Sequence, residues 1–120
     1  MNIEQIRAYC LSKKGTSEDF PFDEQILVFK VLGKMFALTS LKGWETNTPS
    51  INLKADPDYA QELRAEYPSI RPGYHMSKKH WNTIYIHEGE VSPKFLFQLI
   101  DHSYDMVVKG LPKKTRDSLM

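Results

Sequence analysis

A chain of 120 residues has room for one domain and little more, and a core of this size folds without a disulfide or a structural metal. Apolar residues make up 41% and charged residues 26%; this excludes global disorder, and no apolar run nears the roughly 20 residues a membrane-crossing helix requires. The 16 Lys and Arg against 15 Asp and Glu leave a formal charge of +1, so any affinity for a polyanion has to come from where the cations sit.

Asn2 followed by Gln5 has the spacing of a capping box, and Ile3, Ile6, Cys10 and Leu11 share one helical face. A first helix is expected over 3–14, stopped by Gly15. The segment GTSEDFPFDEQ carries four acids around Phe20-Pro21-Phe22, has no period and is expected to be a loop. Residues 26–31 and 35–41 are rich in β-branched and aromatic side chains and flank Leu32-Gly33-Lys34, the pattern of a β-hairpin. A loop is expected from Trp44 to Pro49, then a half-buried strand at 50–54, where Ile51 and Leu53 alternate with Asn52 and Lys54.

Asp56-Pro57 supplies an N-cap and a first-turn proline, and Tyr59, Leu63 and Tyr67 recur every four residues, so a helix is expected over 57–66. The stretch IRPGYHMSKKHWN holds two histidines and three Lys or Arg with no acid. It is expected to give an extended piece at 73–76, one helical turn capped by Ser77, and a strand at 83–87. Ser92-Pro93 opens the longest helix, with Phe95, Leu96, Leu99, Ile100, Ser103 and Val107 as its inner stripe and Gly110 and Pro112 as its end. The tail 112–120 is expected to fray. The fold class is therefore α+β: one two-layer domain over 1–120, an antiparallel sheet of a hairpin plus further strands, with three helices on one face.

The residues that could carry chemistry are mostly cations. Arg71, His75, Lys78, Lys79 and His80, interleaved with Tyr74 and Trp81, could hold phosphates and stack a base, or could equally solvate a turn around a core tryptophan. Lys113, Lys114 and Arg116, with Lys109, could extend such a surface or simply complement a helix C-terminus. Lys30, Lys34 and Lys42 on the hairpin suit a wing entering a DNA groove, or an edge guarded against aggregation. Lys54 is expected to pair with Glu18 or Asp19, with a ligand phosphate as the alternative.

Glu18, Asp19, Asp23 and Glu24 lack calcium-loop spacing, the histidines lack zinc spacing, and Cys10 lies on an apolar stripe. No nucleophile or nucleotide motif is present, so neither catalysis, a metal nor a cofactor is expected; a catalytic reading would need His75, Lys54 and Glu18 in one cleft. The single cysteine and an N-terminus without a signal-peptide pattern suit a cytoplasmic protein with no membrane partner.

Five stretches, EDFPF (18–22), VFKVLGKMFAL (28–38), INLKADPDYAQELRAEYP (51–68), PGYHMSKKHWNTI (72–84) and LIDHSYDMVVKGLPKKTR (99–116), together resemble the MmcQ/YjbR-like family. The resemblance implies a split β-α-β, double-wing α+β fold related in shape to a DNA-binding transcription-factor domain. DNA is thus the expected partner, through the cations named above. The alternative is a non-catalytic protein- or small-ligand-binding domain, suggested by the loop aromatics Phe20, Phe22, Trp44 and Tyr74.

Overall fold

The computed structural model describes residues 1–120. In chain order the elements are α1 (Ile3–Leu11), β1 (Thr16–Asp19), β2 (Ile26–Val31), β3 (Lys34–Ser40), α2 (Leu41–Glu45), β4 (Ser50–Lys54), α3 (Pro57–Glu66), β5 (Ile70–Pro72), β6 (Trp81–Tyr85), a 3-10 turn (Ile86–Glu88), α4 (Pro93–Lys109) and α5 (Lys113–Asp117). The strands form one open sheet in the order β1-β2-β3-β4-β6-β5, antiparallel throughout.

Strand alternation sends Leu27, Phe29, Ala37, Ile51, Leu53 and Ile84 to one face, and three amphipathic helices cover it. Ile6 and Cys10 come from α1, Leu63 from α3, and Leu96, Leu99, Ile100 and Val107 from α4. The helix starts follow the expected chemistry: Asn2 and Gln5 form the capping box, Asp56 Oδ2 accepts from the Asp58 and Tyr59 amides, and Ser92 Oγ accepts from the Phe95 amide.

Several boundaries differ from expectation. The first helix ends at Leu11, because Ser12 turns its hydroxyl back onto Tyr9 O instead of continuing the spiral. Part of the acidic loop is an edge strand: Thr16–Asp19 pairs with β2, with Glu18 held by Arg7 at 2.5 Å and Asp19 by Lys30 at 3.4 Å. The expected loop from Trp44 begins inside a short helix, α2, with Trp44 Nε1 donating to Thr39 Oγ1. The short extended piece is Ile70–Pro72, not 73–76, and the strand after it runs from Trp81 to Tyr85. Residues 113–117, expected as part of a fraying tail, form a helix, and Leu119 packs against the core; a Cβ built at Gly15 would lie 2.5 Å from its Cδ2.

A β-bulge shapes the centre. Phe29 opposes Ala37 and Lys30 opposes Met35, so Phe36 has no partner of its own in β2 and turns into the helical core, edge-on to Tyr104 at 5.5 Å.

Two groups on this side, one buried and one half-buried, have testable chemistry. Cys10 is fully buried and its thiol is pushed up to about 12, chiefly by burial. Ellman's reagent should find no reactive thiol in the folded protein and one after denaturation. His102 Nε2 accepts from the Asp56 amide at 3.1 Å, with Tyr59 edge-on to the ring, so the neutral imidazole belongs to the start of α3. Burial holds His102 below its ordinary 6.5, against the opposing pull of Asp56 and Asp105. The unfolded chain therefore takes up this proton first. The stabilisation is complete above 6.5 and lost as pH falls through the lower folded value. The urea midpoint should drop between pH 7.5 and 5, and His102→Gln should flatten that drop.

Candidate functional site

The face opposite the helices has no second layer, and its side chains stand in rows across the strands. The row of Lys30, Met35, Lys54 and Trp81 lies at one end of the sheet. Val28, Leu38, Asn52 and Thr83 form the middle, and Ile26, Ser40, Ser50 and Tyr85 lie at the other end. The chain between β5 and β6 crosses this face: Met76 packs onto a buried cluster of Val28, Leu38 and Trp81. What stays open beyond Met76 is a groove of about 650 Å³.

Leu38, Asn52 and Thr83 floor the groove, with Ser40, Ser50 and Tyr85 beyond them. Tyr74, His75 and Met76 wall one side, and Phe22 and Ile26 stand across from them. No Asp, Glu, Lys or Arg lines the groove. Phe22 is 62% and Tyr74 66% exposed, among the most exposed large hydrophobic side chains of the domain.

The wall is tied down by backbone bonds. Gly73 N donates to Trp81 O, Tyr74 N to Thr83 Oγ1, and Met76 N to Gly73 O. At its apex His75 has φ of 57°, a left-handed conformation unfavourable for any residue with a Cβ, and its ring lies 4.0 Å from that of Tyr74.

The expected cations are divided. Lys30 is bound to Asp19, and Arg71 is bound to Glu88 at 2.7 Å while lying 4.4 Å over the Tyr85 ring. Both spend their charge within the chain. Lys54 does not pair with Glu18 or Asp19, which Arg7 and Lys30 already occupy; it has no ion pair. Lys78 donates to Gly73 O, Lys79 is exposed, and half-buried His80 accepts from the Ala55 amide through its backbone carbonyl.

Strand register brings several of these to one end of the sheet. Lys34 opens β3 and Lys54 closes β4 beside it, while Lys54 is paired with Trp81 and so adjoins the 78–80 turn. Lys113, Lys114 and Arg116 lie on α5, whose following Leu119 packs near Leu32 and Gly15 at the same end. The groove opens towards the opposite end. Of the three groups a catalytic reading would combine, only His75 lines it; Glu18 is on β1 and Lys54 at the far row.

The groove itself was not anticipated from the sequence. Its parts come from five separated segments, and only the exposed aromatics Phe22 and Tyr74, flanked by Pro21 and Gly73, hinted at it.

These features define an α+β domain with one helical layer and one bare, grooved sheet face. The YjbR family model matches residues 11–106, and the chain belongs to the YjbR family. The chain is 47% identical over 96 residues to the uncharacterised protein YbdF of Escherichia coli O157:H7, covering 79% of this chain and 75% of that one. It is 32% identical over 120 residues to the uncharacterised protein YjbR of E. coli K12, covering 100% and 98%. Among solved structures it matches Deinococcus radiodurans protein DR2400 with a TM-score of 0.87 and 40% identity, over 98% of this chain and 87% of that one.

Proposed function

We propose that this protein is a non-catalytic binding domain whose site is the groove on the uncovered sheet face, and that its ligand is a small, uncharged molecule. The observation that carries this is the groove's composition: about 650 Å³, walled by exposed aromatic rings, with uncharged polar groups on its floor and a strained residue held at its rim. A concave, mostly apolar pocket with a few placed polar groups is the usual form of a small-ligand site. Exposed Phe22 and Tyr74 cost solvation in the free protein and gain on covering.

The test is a fragment titration followed by amide resonances of labelled protein. Neutral aromatic fragments should shift the amides of residues 52, 74–76, 83 and 85, and matched carboxylates should not. Shifts spread over the whole surface, or confined to the helical side, contradict the proposal.

Binding of duplex DNA is the second reading, with one observation in its favour: Lys34, Lys54, Lys78, Lys79 and the α5 cations share one end of the sheet and none is in an ion pair. The hairpin tip at Lys34 would then act as a wing. Anisotropy of a labelled duplex at two salt concentrations tests it. Binding should weaken steeply with salt, and Lys54→Ala with Lys78→Ala and Lys79→Ala should reduce the logarithmic salt slope by about 3. No binding at low salt removes this reading and leaves the groove untouched.

A further inference from the structure

Two hydrogen bonds on the groove floor orient one donor. The Thr83 hydroxyl has a single hydrogen. Its oxygen already accepts from the Tyr74 amide at 3.0 Å, and it lies 2.6 Å from the Asn52 side chain, across the β4–β6 pair. Thr83's own hydrogen goes to Asn52 Oδ1, the atom of that side chain that faces it. The NH2 group of Asn52 is then turned away from Thr83, on the groove floor, with no partner in the chain. The same hydroxyl thus anchors the aromatic wall and orients the donor beneath it.

Charge narrows the choice further. The cation nearest in register is Arg71, opposite Thr83, and Glu88 and the Tyr85 ring already hold it. An anionic ligand would give up its hydration for no counter-charge, and a cationic one would meet no carboxylate in the lining. The walls suit flat rings: Tyr74 and Phe22 expose aromatic surface from two different loops, and the volume accommodates a fused bicycle with substituents.

Resting on the groove being the ligand site, we infer that it selects an uncharged planar ring bearing a hydrogen-bond acceptor on its edge, a lactam or ketone carbonyl or an unprotonated ring nitrogen, recognised by the Asn52 amide. The Ser40 and Ser50 hydroxyls, free to donate or accept, then serve a second polar atom of the ring's substituent without fixing its type.

The probe is N-methylquinolin-2-one, a neutral bicycle with an acceptor and no donor, titrated into labelled protein. Saturable shifts are expected at residues 52, 74–76 and 83. Asn52→Asp puts an anion in place of the donor and should weaken the probe about tenfold or more, as should replacing the probe by quinoline-2-carboxylate. Thr83→Val keeps Asn52 but releases its orientation and the Tyr74 anchor, and should weaken the probe about fivefold; it also covers the case in which Asn52→Asp does not fold. Equal affinity for wild type, Asn52→Asp and Thr83→Val overturns the acceptor inference while leaving the groove as a site. Absence of groove shifts with this probe and with every neutral aromatic fragment overturns both.

Discussion

Phe36→Ala lowers the stability of this domain by about 3–5 kcal/mol, the range for truncating a buried phenylalanine that leaves a cavity behind. Phe36 is fully buried and sits at the β-bulge, so its ring fills the space between the sheet centre and α4 instead of facing a neighbouring strand. Tyr104, its edge-on partner, is fixed by a bond from its hydroxyl to Lys14 O and cannot collapse into the gap. Domains of this size have about 5–15 kcal/mol in total, so the variant should unfold at a much lower urea concentration with an unchanged slope. Phe36→Leu, which keeps most of the volume, should cost about 1–2 kcal/mol. A loss below about 1 kcal/mol for the alanine variant would mean that the bulge relaxes and the core closes over the gap.

Ser103→Ala costs about 2–4 kcal/mol although it removes one oxygen atom, because two backbone groups lose their partner at once. The β3–β4 ladder runs to Ala37 opposite Leu53 and stops. One residue further on, Ser103 Oγ donates to Phe36 O at 2.5 Å and accepts from the Lys54 amide at 2.8 Å. A fully buried hydroxyl from α4 thus bridges the two strands where their ladder ends. Amide exchange at Lys54 should accelerate in the variant. If stability falls by less than about 0.5 kcal/mol and Lys54 exchanges as before, the strands have re-paired without the helix and the hydroxyl is dispensable.

The elements legible in the sequence were those with local causes. Asp56-Pro57 and Ser92-Pro93 announce their helices because capping and proline geometry act within four residues. The 26–31 strand and Ser50–Lys54 announce themselves through composition and alternation.

The missed elements had causes elsewhere in the chain. Thr16–Asp19 looks like an acidic loop because an edge strand buries little, and what neutralises it comes from Arg7 and Lys30. Arg71 looks like a free cation because Glu88, its partner, lies across a turn and a strand. Phe36 reads as an ordinary strand residue; only the register against Phe29 and Lys30 reveals the bulge, and with it why Ser103 belongs to an otherwise apolar stripe. The groove was the least legible of all. It depends on the 73–80 segment folding over this face so that Met76 packs on the Val28, Leu38 and Trp81 cluster, a tertiary contact with no sequence period.

The two ends of the sheet offer different chemistry. One collects unpaired lysines beyond Trp81, the other an uncharged aromatic groove, with Met76 and Trp81 packed between them. On the function proposed above, the second of these is the functional surface. The most direct measurement is a crystal of the protein soaked with a mixture of neutral aromatic fragments. Density for a ring between Tyr74 and Phe22, with an acceptor within hydrogen-bond distance of Asn52 Nδ2, is the predicted result. A groove that stays filled with solvent while fragments collect elsewhere, or loops 20–22 and 73–76 that close it by packing on one another, would contradict a ligand site there.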